Sequence, residues 1–178
     1  MKNLPNILTT LRFFLVPVFV FIYFKYEPWM ALIVFILASV TDLLDGYIAR
    51  KNNLITDWGK MMDPLADKIM QVAVLVCLYI DAAIPLFVLI IVVAKEALMV
   101  AGGIFLYKKR DIVVFSKLYG KIATALFFIG IVLTFFRSFL EPFNLYVIYV
   151  ALALSLLSMV MYGLNNLFGK DARKKEET

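Results

Sequence analysis

Apolar residues run through this chain in six long windows, roughly 5–24, 29–50, 62–80, 84–107, 117–137 and 143–165, separated by short polar connections. Each is near the ~20 residues that a helix needs to cross a hydrocarbon core about 30 Å thick. The windows are apolar on all sides rather than alternating with a period of two, which excludes the strands of a membrane barrel. The pattern predicts an all-α integral membrane fold of six transmembrane helices. Pro17 falls inside the first window and predicts a kink there. That window has a long apolar run after Arg12 and no small-residue cleavage site, so it reads as a span and not as a cleaved signal sequence. No repeat, low-complexity tract or long linker interrupts the chain. Residues 1–178 therefore read as one domain with a basic tail at about 169–178.

Composition agrees with the windows. Of 178 residues, 63% are hydrophobic and 17% charged, with a mean hydropathy of +0.91, more apolar than a water-soluble core of this size can bury. Disorder and disulfide scaffolds are excluded, and the single cysteine, Cys77, has no internal partner. The chain has no histidine, which removes His-ligated zinc or haem and Ser-His-Asp catalysis. Any chemistry must then use carboxylates, Lys, Arg, Tyr, Ser/Thr or a bound metal. With the N-terminus inside, 14 of the 18 basic residues fall on the cytoplasmic side, among them Arg50, Lys51, Lys108, Lys109, Arg110 and Lys170. This bias predicts that both termini are cytoplasmic. The net charge of +5 is accordingly a signal for a membrane surface, not for nucleic acid.

One stretch breaks the apolar rule in an organised way. It reads Asp42-Leu43-Leu44-Asp45-Gly46-Tyr47-Ile48-Ala49-Arg50, and after eight residues Gly59-Lys60-Met61-Met62-Asp63-Pro64-Leu65-Ala66-Asp67. Asp42 and Asp45 are three apart, and Asp63 and Asp67 four apart, so each pair shares a helical face. The short polar connection between them predicts antiparallel neighbouring helices with both pairs at the cytoplasmic end of one cleft. Carboxylates cost about 2.5–3.5 kcal/mol each in a membrane interior on insertion scales, and four together must be protonated or neutralised by cations. Oxygen ligands without His or Cys favour Mg²⁺, Mn²⁺ or Ca²⁺. Gly46, Ala49 and Gly59 allow close approach of a ligand, and Arg50 offers a fork for phosphate. The structural alternative is a set of helix-end charges, with Asp63 capping a helix that starts at Pro64.

These residues resemble the CDP-alcohol phosphotransferase family, whose signature D-x2-D-G-x2-A-R-x8-G-x3-D-x3-D is matched at every fixed position by Asp42, Asp45, Gly46, Ala49, Arg50, Gly59, Asp63 and Asp67. The resemblance covers nearly the whole chain and implies a six-helix core. It further implies transfer of a phosphatidyl group from CDP-diacylglycerol to an alcohol, with release of CMP. Carried over by position, Asp42, Asp45, Asp63 and Asp67 would hold two divalent cations, Mg²⁺ or Mn²⁺. Asp67 would also act as general base. Asp45, Gly46, Ala49, Arg50 and Gly59 would bind the CDP moiety. A multi-pass protein of the plasma membrane, working as a homodimer with Gly102-Gly103 near the contact, is the expected setting.

The acceptor is narrowed by the amino terminus, where Pro5-Asn6-Ile7-Leu8-Thr9-Thr10-Leu11-Arg12 is similar to the P-N-x-L-T-x-x-R opening of the phosphatidylglycerophosphate and cardiolipin synthases. Thr9 and Arg12 lie one turn apart and could reach a headgroup. A glycerol 3-phosphate dianion needs further cations, for which Lys95, Lys117 and Lys121 are the candidates. Lys95-Glu96 stands where the glycerophosphate enzymes commonly carry Arg-Glu, with mutual neutralisation as the alternative. Gly120-Lys121-Ile122-Ala123-Thr124 lacks the second lysine of their G-K-x-K-T, which tilts towards phosphatidylglycerol as acceptor and cardiolipin as product. In a glycerophosphate enzyme, Ala123→Lys would restore the common motif and leave the acceptor KM unchanged or lower, whereas with phosphatidylglycerol as acceptor it would be neutral or harmful. Glycerol 3-phosphate remains first and phosphatidylglycerol second. A small cation channel or transporter is the rival class, but it would spread its acids through the membrane depth, whereas these crowd at one face. Tyr119, Tyr146, Tyr149 and Tyr162 read as interface anchors.

Overall fold

The computed structural model describes the backbone of residues 4–51, 57–110 and 118–175, and within these the side chains of residues 10–42, 44, 62, 65–101 and 120–161. All described secondary structure is helical: α1 (Leu4–Lys25), α2 (Pro28–Lys51), α3 (Asp57–Ile80), α4 (Leu86–Arg110), α5 (Leu118–Phe135), the single-turn α6 (Arg137–Leu140) and α7 (Phe143–Lys175). Each apolar window is thus a helix, and the fold is all-α. Helices outrun their windows where helical hydrogen bonding continues into polar sequence beyond the apolar run, as α4 does to Arg110. α3 begins at Asp57, and α7 carries on through the basic segment to Lys175. α1 continues through Pro17 as one helix. Among the described residues, Phe143–Met161 is long and apolar enough to cross a membrane, and Pro28–Asp42 and Gly120–Phe135 are shorter apolar helical stretches. Large apolar side chains, including Phe14, Phe21, Trp29, Leu37, Ile90 and Leu98, lie exposed along the helices.

The chain packs as two compact units, Met1–Leu89 and Ile90–Thr178. In the first, α1 is the helix that both others pack against, and α2 and α3 touch each other only slightly. The sequence predicts that α2 and α3 are direct neighbours; instead each packs mainly on α1. The buried stripe of α1 carries Arg12, Phe19 and Tyr23, and that of α2 carries Ala31, Phe35 and Ala38. Phe19 meets Phe35 edge-on, with ring centroids 6.5 Å apart, and seven residues away on each helix Arg12 meets Asp42. The constant offset makes the pair antiparallel. Tyr23 Oη donates to Asp81 Oδ2 at 3.3 Å, which places the end of α1 beside the end of α3 and makes those two parallel. α3 stops in a Schellman turn: Ala83 N–H donates to Leu78 O at 2.8 Å and Ala82 N–H to Tyr79 O at 2.9 Å, with Ala82 at φ 53°.

The second unit is built on an antiparallel α5–α7 pair. Thr134 Oγ1 donates to Gly130 O at 2.8 Å and accepts from Asn144 Nδ2 at 3.4 Å. A Cβ on Gly130 would lie 2.8 Å from Ile148 Cγ1, and one on Gly120 would lie 3.3 Å from Ser158 Oγ. These three facing pairs keep one register, and the buried Ala123, Phe127 and Ala151 fall on the same seam. Its positions repeat by threes and fours, the heptad rhythm of closely packed helices, with small residues set opposite larger ones. Gly130→Ala is expected to destabilise the pair by about 1–2 kcal/mol. Overpacking costs about 1–3 kcal/mol, and the gain in helix propensity returns up to about 1 kcal/mol. Thermal unfolding in detergent checks this, and an unchanged midpoint would contradict the tight seam.

Candidate active site

The acidic segments of α2 and α3 occupy the same end of the first unit. Asp42 and Asp45 lie in the second half of α2, and Asp63 and Asp67 in the first half of α3. From Lys51 to Asp57 the chain takes six steps and can span at most about 22 Å. α3 begins at Asp57, so Asp63 stands inside the helix and not at its N-cap. That removes the capping alternative for this residue.

Two acids of the motif are described to their carboxylates. Asp67 is exposed on α3. Asp42 extends the buried stripe of α2 by one more turn, and its Oδ1 stands 2.7 Å from Nη1 of Arg12. The Arg12 side chain is 1% exposed and that of Asp42 36%. A guanidinium keeps its charge at any ordinary pH, so a buried one requires an anion beside it. Beside Asp42, Thr41 Oγ1 donates to Ala38 O at 2.7 Å and Ser39 Oγ to Phe35 O at 2.9 Å. Both hydroxyls are thereby satisfied within α2. The donors that the motif offers are carboxylate oxygens alone, a set that suits a hard divalent cation.

The remaining expectations fare differently. Asp45, Gly46, Ala49, Arg50, Gly59 and Asp63 have helical backbones, but their side chains lie outside the described residues, as does that of Thr9; Lys117 lies outside them altogether. Arg12, expected to reach a headgroup, is turned inward onto Asp42. Lys95 Nζ lies 2.6 Å from Oε1 of its neighbour Glu96, with the pair 14% and 15% exposed. The mutual neutralisation that the sequence left open is the arrangement found. Lys121 and Thr124 are exposed on α5, and Thr124 Oγ1 donates to Gly120 O at 3.0 Å.

Ala123 lies in the closely packed part of the second unit. It is 1% exposed, in the α5–α7 seam where the register sets Ser155 opposite, so a lysine there has no outward path from its Cβ. Ala123→Lys is expected to cost about 2 kcal/mol or more, from overpacking and from a buried ammonium. A lowered unfolding temperature checks this, and a variant as stable as the parent would show that the seam opens freely.

The pairing of Arg12 with Asp42 is what sequence reasoning missed. A signal existed: Arg12 with Phe19 on α1, and Phe35 with Asp42 on α2, each continue an apolar stripe by seven residues. Two opposite charges ending two facing stripes are candidates for each other.

The helices and the motif define a class, all-α proteins with an acidic D-x2-D-G-x2-A-R-x8-G-x3-D-x3-D motif carried on two successive helices. Over residues 2–158, a stretch that runs across both units, the chain matches CDP-alcohol phosphatidyltransferase, and it belongs to that family. The family is membrane-associated and generally dependent on divalent metals. A CDP-diacylglycerol–glycerol-3-phosphate 3-phosphatidyltransferase of Rickettsia bellii is 39% identical over 101 residues, or 55% of this chain and 56% of that protein. The protein of the same name from Haemophilus influenzae is 31% identical over 172 residues, or 90% of this chain and 91% of that protein. A cardiolipin synthase (CMP-forming) / mitochondrial hydrolase fusion protein of Schizosaccharomyces pombe is 35% identical over 107 residues, covering 60% of this chain and 18% of that protein. The chain spans little more than half the length of the Rickettsia relative, 56%.

Proposed function

We propose that this protein transfers a phosphatidyl group from CDP-diacylglycerol to glycerol 3-phosphate, forming phosphatidylglycerophosphate and releasing CMP. One observation carries the reading: the acidic segments of α2 and α3 share one end of the first unit, with the Asp42 carboxylate held 2.7 Å from a buried guanidinium. The names of the Rickettsia and Haemophilus relatives support this choice of acceptor. Asp42, Asp45, Asp63 and Asp67 would hold two Mg²⁺ or Mn²⁺ ions. The chemistry these supply is neutralisation of charge on the diphosphate and on the departing CMP oxygen.

The chain's own residues do the rest. Asp67 accepts the proton of the acceptor hydroxyl as that oxygen bonds to the lipid-side phosphorus. The bond from this phosphorus to the bridging oxygen breaks, and CMP leaves with the electron pair. Gly46, Ala49 and Gly59 leave room for the CDP moiety, with Asp45 and Arg50 beside it. Lys121, Lys117 and Thr9 are the groups assigned to the acceptor phosphate, and Lys95 contributes there only if its ammonium leaves Glu96. The setting is a single multi-pass domain of the plasma membrane, six spans with both termini cytoplasmic, assembled as a homodimer. The apolar side chains exposed along the helices suit contact with lipid.

A second reading, cardiolipin synthesis with phosphatidylglycerol as acceptor, is favoured by Ala123, which replaces a lysine of the glycerophosphate motif and is buried. The test is to incubate the purified protein and Mg²⁺ with CDP-diacylglycerol and either labelled glycerol 3-phosphate or labelled phosphatidylglycerol. Labelled phosphatidylglycerophosphate with one CMP per product is the expected result. Cardiolipin with no use of glycerol 3-phosphate would replace the first reading by the second, and no CMP release with either acceptor would overturn both.

A further inference from the structure

We propose that Arg12 is a positioning residue for the metal-binding carboxylate of Asp42, and not a ligand of the acceptor headgroup. The inference rests on the reading of Asp42 as a metal ligand. Arg12 Nη1 lies 2.7 Å from Asp42 Oδ1, and the arginine side chain is 1% exposed. A guanidinium so buried has no surface to offer a headgroup. Its stem runs in the α1 stripe that leads to Phe19, and Phe19 packs on Phe35 of α2 with centroids 6.5 Å apart. The position of Arg12 relative to α2 is therefore set by the apolar packing of the two helices. Asp42 meets the buried Arg12 and is itself 36% exposed.

A purely structural role explains this poorly. A buried ion pair is commonly no more stabilising than apolar residues of the same volume, because desolvation offsets the attraction. Apolar contacts such as that of Phe19 on Phe35 also join this helix pair, and leucine at either position would serve packing as well. The pair is accounted for if Asp42 must be present, ionised and held in one rotamer. An outer-shell charge set against a metal-binding carboxylate does this, and loss of such partners typically costs about 10–100-fold in metal affinity or activity. The rigid planar fork of arginine suits the task better than a flexible ammonium.

The test uses the full chain in nanodiscs and Mn²⁺ itself as probe, with bound and free metal measured by electron paramagnetic resonance. Arg12→Gln is expected to raise the Kd for Mn²⁺ by about 10-fold or more. Arg12→Lys should recover part of that affinity, and the KM for the acceptor should stay near that of the parent at saturating Mn²⁺. Should Arg12→Gln fail to fold, Arg12→Lys, which keeps the charge, provides the same measurement with a smaller shift. An unchanged Kd for Mn²⁺ in a folded variant, together with a raised acceptor KM, would overturn the proposal and return Arg12 to the headgroup. Asp42→Asn separates the two readings. If it binds Mn²⁺ as tightly as the parent, Asp42 is not a metal ligand, and the assignment fails at its base whatever Arg12 does.

Discussion

Asp67→Asn is expected to lower kcat by about 100-fold or more while CDP-diacylglycerol still binds. Asparagine keeps the shape of the side chain and one oxygen that a cation can use, but it cannot take up a proton. General-base contributions are typically about 10²–10⁴-fold, so the loss should fall on turnover. Asp67 suits this role by its place on α3, one helical turn beyond Asp63 and exposed where an acceptor hydroxyl can approach. Steady-state kinetics with a separate measurement of CDP-diacylglycerol binding in nanodiscs distinguish the outcomes. A loss of binding equal to the loss of rate would make Asp67 chiefly a metal ligand, with the base to be sought elsewhere.

Asp42→Asn is expected to abolish turnover and, separately, to weaken the fold. The first effect follows from the proposed role of Asp42 as a negatively charged metal ligand. The second follows from Arg12, whose buried charge loses its anion. Breaking a fully buried pair costs about 3–5 kcal/mol. Asp42 is 36% exposed, and the asparagine oxygen can still accept a hydrogen bond, so a loss of about 1–3 kcal/mol is expected here. The two effects part in the double variant Arg12→Leu with Asp42→Asn, which should recover most of the stability and none of the activity. Near-parental turnover in Asp42→Asn would remove it from the ligand set. A double variant no more stable than the single one would show that the Arg12 charge is not what the aspartate offsets. Inactivity of Asp42→Asn is thus informative only beside its unfolding temperature.

The sequence read differently at different scales. Each apolar window is a helix, because helical hydrogen bonds run within a segment and twenty apolar residues in a row leave little else for the backbone to do. The acidic motif was equally legible. Spacings of three and four put Asp42 with Asp45 and Asp63 with Asp67 on common faces of whatever helices carry them, and the family match over residues 2–158 agrees with the motif. Where the apolar run ends is a weaker guide to where a helix ends: α3 starts at Asp57 and places Asp63 inside a helix, where composition allowed it to be a cap.

Three assignments turned instead on which face of one helix meets which face of another. Arg12 carried the same sequence signal as a headgroup ligand and as the partner of Asp42, and the antiparallel register of α1 on α2 chose the second. Lys95 was a free cation or a neutralised one, and its 2.6 Å contact with Glu96 gives the neutralised form. Ala123 was a missing lysine by motif, and a buried seam position once Gly130 is set against Ile148 and Gly120 against Ser158. Periodicity within a segment is local and can be read along the chain. The rotation and offset of one helix against its neighbour depend on side chains far apart in sequence packing at the same moment, and only the tertiary structure decides them.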